Sequence, residues 1–168
     1  VYKRQVLISA LADVAALDWE ARFVGGDHFD AEWAQKLRAQ VAAENLEHRI
    51  QFAGLVPDVE PEYQQADVFI LPSRFEGYGM VFAEALSAGL PVIAAKAGAV
   101  PDVVPGTAGI LVAPDDQDAL AGAIHKLLTT AGLHQQLQQG ARACAAELPS
   151  WRDTAEKVCR RLREVSQV

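Results

Sequence analysis

Short, mainly apolar runs alternate with longer stretches of helical period down this chain of 168 residues. The runs fall at 21–24 (ARFV), 50–53 (IQFA), 67–71 (DVFIL), 91–95 (PVIAA) and 110–112 (ILV). The helical stretches fall at about 31–44, 60–65, 79–88, 100–104 and 116–130, and after the last strand at 133–147 and 151–165. A strand with no polar alternation is covered on both faces, and helices between such strands are the crossovers that parallel pairing demands. The pattern predicts an α/β chain, a Rossmann-like doubly wound parallel sheet, in one domain spanning 1–168.

The opening of the chain is unusual. Residues 6–17 (VLISALADVAAL) have a helical pattern, yet no strand ahead of them feeds that helix. We expect a fragment lacking its first strand and a preceding domain. Residues 1–5 have neither the charged nor the apolar region of a signal peptide, and no apolar run approaches the roughly 20 residues that span a bilayer. The two cysteines, Cys144 and Cys159, have no CxxC spacing and read as a reduced pair, so the expected location is cytoplasmic. A net charge of −7 argues against a nucleic-acid groove or an anionic membrane surface. An anionic ligand would have to be met locally, by helix N-termini and a few basic side chains.

In a doubly wound sheet, ligands bind beyond the carboxyl ends of the strands. The loops there are Gly25-Gly26-Asp27, Gly54-Leu55-Val56, the segment from Pro72 to Gly79, Lys96-Ala97-Gly98 and Ala113-Pro114-Asp115. The third carries the densest chemistry, in EGYGMVFAEALSAG from Glu76 onward. Gly77 and Gly79 are read as freeing the backbone for a tight turn. The helix that follows presents unpaired N–H groups and its positive dipole end, a cradle for a phosphate or diphosphate. Glu84 lies one to two turns into that helix and Glu76 ahead of it. Eight helical positions would separate their Cα atoms by roughly 12 Å, against roughly 5–9.5 Å between glycosidase carboxyl groups. Two separate hydrogen-bonding roles fit better than a shared proton.

The stretches FILPSRFEGYGMVFAEALSAGLPVIAAKAGAVPDVV and AGILVAPDDQDALAGAI resemble the retaining glycosyltransferases of family 4, of the GT-B fold. Looser likeness extends over ARFVGGD, RIQFAGLV and LPSWRDTAEKV, so that nearly the whole chain is similar to the C-terminal, donor-binding half of such an enzyme. The resemblance implies transfer of a hexose from a nucleoside diphosphate sugar, UDP-, GDP- or ADP-linked, with no further cofactor. It implies that Glu76 contacts the donor sugar and Glu84 the ribose hydroxyls. Backbone amides of Tyr78, Met80 and Val81, with Gly77 and Gly79, would hold the diphosphate; Gly54, Leu55 and Val56 would lie against the base, and Gly25 and Gly26 on the phosphate side. The acceptor would belong to an N-terminal domain, through which alone any peripheral membrane contact would run. Family members also begin this domain with a strand ending in arginine, then Lys-Gly at the next helix. Here Lys3 and Arg4 read as out of register and the glycine is missing, so the cations that neutralise the leaving diphosphate are expected to be lost.

Other readings remain beside this one. A non-catalytic nucleotide-sugar-binding module and a GT-B nucleotide-sugar epimerase share the same motifs, and a flavodoxin-like signalling domain lacks the acidic cluster it would need. Asp115-Asp116-Gln117-Asp118 contains a DxD, but its position after a strand and before ALAGAIHKLL reads as a turn and helix N-cap, so no metal is expected. Arg74 is a candidate for the missing charge and equally for a structural ion pair. Lys96 and Gly98 sit on the same rim with a ligand role left open. His28, His48, His125 and His134 show no ligand spacing, and Trp151 reads as a packing residue.

Overall fold

The computed structural model describes residues 2–26, 31–77, 79–148 and 151–165; for Tyr2, Trp151 and Asp153 it describes the backbone alone. Helix α1 (Tyr2–Asp13) leads into β1 (Ala21–Val24), α2 (Ala31–Ala43), β2 (Ile50–Gly54), α3 (Glu60–Gln65), β3 (Phe69–Leu71) and α4 (Met80–Ser87). Strand β4 (Val92–Ala95), α5 (Val100–Val103), β5 (Gly109–Val112), α6 (Gln117–Thr129), α7 (Leu133–Glu147) and α8 (Trp151–Val165) complete the chain. Each strand predicted from an apolar run is present within two residues of its expected bounds.

Every strand pair is parallel, as expected, but the five strands hydrogen-bond in two sets, β1–β2 and β3–β4–β5. Within the larger set Phe69, Val92 and Gly109 lie in register, as do Ile70, Ile93 and Ile110. Strand β4 is buried at all four positions, and its alternation divides the core. Ile93 joins a cluster with Leu7, Ile8 and Leu11 of α1, Leu37 and Val41 of α2, and Leu120, Ile124 and Leu127 of α6. Val92 and Ala94 face Phe82 and Leu86 of α4, Val100 of α5 and Ala141 of α7. Phe23 of β1 and Ile50 of β2 belong to the first cluster, so side-chain packing unites the two strand sets. That is the two-sided cover a wholly apolar strand demands.

Helix α1 departs most from expectation. It starts at Tyr2 and ends at Asp13, where 6–17 was predicted. Its last residues are replaced by a turn that Arg49 captures: Nε donates to Trp19 O (2.8 Å), Nη1 to Ala15 O (2.7 Å) and Nη2 to Leu17 O (2.6 Å). The guanidinium also stacks on the Trp19 ring, 4.0 Å from its centroid. A distant side chain thus satisfies three carbonyls that neither this helix nor the longer one expected could pair internally. At the other end of the chain, the described side chains of α8 are all exposed.

Candidate functional site

The strand ends meet along one rim. Gly25 N donates to Gly54 O at 2.9 Å, tying the loop after β1 to the end of β2. Gly54 sits at φ +70° and Leu55 is 67% exposed beyond it, beside the half-buried Val56. After β3, Ser73 N turns back to Leu71 O (3.0 Å), and Ser73 is the buried polar residue of the described core.

Glu76 is held from three sides. Ser73 Oγ donates to Glu76 Oε1 at 2.6 Å, and Lys3 Nζ lies 3.8 Å from the same oxygen while donating to Ser73 Oγ at 3.3 Å. Ala99 N donates to the Glu76 carbonyl at 3.2 Å, and a Cβ on Gly98 would run into that carbonyl oxygen. Gly98 therefore lets the loop after β4 pass directly against the Glu76 backbone, whereas Lys96 is exposed on the rim.

Helix α4 begins after Gly79, which holds φ +72° and would press a Cβ to 2.7 Å from the Phe82 ring. Gly77 differs from expectation: its φ is outside the left-handed region and a Cβ there would meet open space, so the turn draws its glycine requirement from Gly79 alone of the two. Tyr78 lies outside the described residues, as does His28. Among the described residues no side chain caps α4, and Gly79 O accepts from Phe82 N at 2.9 Å. The N–H groups of the first turn, at Met80 and Val81, are of the kind a helix leaves for an external acceptor. Met80 is 55% exposed. One turn on, Glu84 is exposed, and its Oε2 accepts from the Tyr63 hydroxyl at 3.0 Å. Burial, and then the hydrogen bond to Glu84, push the Tyr63 phenol well above its ordinary range, so it stays a donor.

The structure corrects the expectation that the local positive charge is lost. Lys3 and Arg4, on the first turn of α1, both reach the rim. Arg4 Nη2 donates to Val24 O at 3.2 Å, and a Cβ on Gly25, at φ +124°, would come to 2.9 Å from it. Helix α1 starts earlier than its apolar pattern, and that early start carries both cations to the strand ends. Arg74 Nε pairs with Asp115 Oδ1 at 2.6 Å, joining the loops after β3 and β5. Asp116 accepts from Ala119 N at 2.9 Å, the expected N-cap of α6. His134 Nε2 lies 2.8 Å from Asp67 O and His125 Nδ1 3.4 Å from Thr129 Oγ1, both far from this rim in sequence.

Sequence reasoning missed Tyr63, Ser73 and Lys3. Ser73 carried a local signal, a hydroxyl three residues ahead of a glutamate. Tyr63 and Glu84 are 21 residues apart, and Lys3 and Ser73 are 70 apart, with nothing in linear spacing to join them.

A parallel α/β fold with its loops gathered at the strand ends is the Rossmann-like architecture of a GT-B glycosyltransferase domain. The chain belongs to the group 1 glycosyl transferases, whose family profile its residues 2–130 match. It is 41% identical over 93 residues to a lipopolysaccharide core biosynthesis mannosyltransferase, LpcC, of Rhizobium leguminosarum bv. viciae, covering 55% of this chain and 26% of that protein. It is 32% identical over 161 residues to a D-inositol 3-phosphate glycosyltransferase of Corynebacterium diphtheriae, covering 92% of this chain and 38% of that protein. Among solved structures, Anabaena HepE in complex with UDP-glucose superposes with a TM-score of 0.87 at 27% identity, over 95% of this chain and 44% of that one. The chain thus spans about a quarter to two-fifths of the length of these curated relatives.

Proposed function

We propose that the protein containing this chain is a retaining family 4 glycosyltransferase, transferring a hexose from a nucleoside diphosphate sugar to an acceptor held by an N-terminal domain. In this reading residues 1–168 are its single donor-binding domain. The observation that carries the reading is the placement of two carboxylates around the α4 N-terminus, with Lys3 Nζ 3.8 Å from Glu76. The UDP-glucose complex of HepE and the mannosyltransferase relative support donors of this class. UDP, GDP and ADP remain the candidate nucleotides, and the reaction is proposed to run in the cytoplasm.

The chemistry follows from charge. Breaking the bond between the anomeric carbon and the diphosphate leaves negative charge on the leaving group while positive character develops on the sugar. Preorganised N–H groups of α4 and the ammonium of Lys3 would stabilise the departing diphosphate, with Arg4 behind it. Met80, Val81 and Gly79 would supply the cradle, and Tyr78 and Gly77 the turn leading into it. Glu76 would orient the hexose, Glu84 would hold the ribose, and the rim at Gly25, Gly26, Gly54, Leu55 and Val56 would flank phosphate and base. Arg74, bound to Asp115, would act on the donor only by leaving that pair. Positive charge from Lys3, Arg4 and the helix dipole assigns no task to a metal ion. The chain alone would bind the donor without transferring from it.

Calorimetric titration with UDP, GDP and ADP tests the reading. Glu84→Ala should weaken nucleotide binding, whereas Glu76→Ala should chiefly lower turnover of the full-length protein. Unchanged nucleotide affinity in Glu84→Ala would defeat the ribose assignment.

A further inference from the structure

Glu84 projects from the exposed side of α4, where a glutamate side chain samples many rotamers at little cost. A carboxylate that must meet two vicinal hydroxyls gains from being fixed before the ligand arrives. The fixing group is on another element. Tyr63, on α3, lays its ring against Phe69 of β3 (5.8 Å between centroids), and Phe69 meets Phe82 of α4 edge-on at 5.7 Å. This aromatic series anchors the ring in the core beneath α4. The hydroxyl then emerges beside α4, 3.0 Å from Glu84 Oε2 and 3.4 Å from Val81 O. One hydroxyl donor occupies one lone pair of Oε2. Among the described residues nothing else takes up Oε1 or the remaining lone pair, and both are aimed by a bond whose other end is set in packed aromatic rings.

We propose that Tyr63 is a positioning residue that presets the Glu84 carboxylate for a ribose cis-diol, making the site selective for ribonucleotide over 2′-deoxyribonucleotide donors. This rests on the reading of Glu84 as the ribose ligand. Tyr63 touches no part of the donor itself. Its effect is confined to ligands that use both carboxylate valences, which a general loss of packing would not reproduce.

The test measures affinities of the full-length protein for UDP, GDP and ADP and for their 2′-deoxy counterparts, in wild type, Tyr63→Phe, Glu84→Gln and the double variant. Tyr63→Phe keeps the ring and the aromatic packing, and its thermal midpoint checks the fold. The best-binding ribonucleotide should bind about 3–10-fold more weakly to Tyr63→Phe, while its 2′-deoxy counterpart changes less than twofold. In the Glu84→Gln background the Tyr63→Phe effect should shrink, because the two residues act through one contact. Equal weakening for ribo- and deoxyribonucleotide, or no weakening, overturns the positioning role alone. Wild-type protein that binds both sugars equally overturns the ribose reading of Glu84. Failure of all three ribonucleotides to bind overturns the nucleotide reading together with this one.

Discussion

The loop after β4 gives the sharpest test of how Glu76 is held. Gly98 sits at φ +56°, and a Cβ there would meet the Glu76 carbonyl oxygen, with the Glu76 carbonyl carbon and amide nitrogen both at 3.1 Å. An ordinary carbon–oxygen contact is about 3.3 Å or longer. Gly98→Ala therefore incurs two costs. Holding alanine in the left-handed region costs about 1–2 kcal/mol, and overpacking against backbone that has little room to yield costs about 1–3 kcal/mol. A central value of about 3 kcal/mol corresponds to a fall of about 6–12 °C in Tm for a domain of this size. If the loop relaxes instead, Ala99 N must give up its 3.2 Å bond to the Glu76 carbonyl, and turnover of the full-length protein should fall with Glu76 displaced. Gly77→Ala is the matched control. Its Cβ would meet nothing within 4 Å, so its stability should stay within roughly 0.5 kcal/mol of wild type, about 1–2 °C in Tm. Differential scanning calorimetry with a donor-turnover assay reads both outcomes. A Gly98→Ala protein with wild-type Tm and wild-type turnover would refute the contact and the reasoning built on it.

Three further perturbations probe the same rim. Lys3→Met should weaken nucleoside diphosphate binding about tenfold, the scale of one charge-assisted hydrogen bond, and should flatten its salt dependence; equal affinity at low and high salt in both proteins would exclude Lys3 from the diphosphate. Ser73→Ala removes the donor that holds Glu76 Oε1; steady-state kinetics should show a lower kcat at little-changed nucleotide affinity, and an unaltered kcat would count against a role in placing Glu76. Because folding raises the Tyr63 pKa, its stabilising contribution is fully present below the unfolded tyrosine value of about 10 and is lost as pH rises through the folded one. Chemical denaturation from pH 8 to 11 should thus show wild type losing stability relative to Tyr63→Phe only above about pH 10; parallel curves would contradict the shift.

The legible parts of the fold are those whose cause is local. Ile93 and its neighbours in β4 read as a strand covered twice because apolar runs without alternation leave no face for water, and β4 is buried throughout. Asp116 read as an N-cap because an acidic residue before a helical run satisfies an amide three positions on. The bounds of α3, α7 and α8 were expected as they stand, since loop residues and helical period punctuate them. The Glu76–Glu84 pair could be placed at a strand end because a parallel sheet puts its loops there. The error at Gly77 has a local cause too: a glycine signals conformational freedom without saying whether its neighbour, here Gly79, alone uses it.

What lay beyond the sequence was every pairing between segments that only packing juxtaposes. The helical pattern of α1 did not reveal that Arg49 would bind three carbonyls of the turn that follows it, because a guanidinium's partners are chosen by which backbone it lands against. Nor did residue spacing show that Lys3, 70 residues from Ser73, would restore charge to a rim that seemed to lack it. Periodicity and turn chemistry specify elements and the edge where a ligand belongs, since both act over a few residues. The orientation of Glu76 by Ser73 and Lys3, and of Glu84 by Tyr63, is decided by the tertiary structure. Hydrogen bonds act at contact range, and contact between distant residues exists only once the helices are seated on the strands.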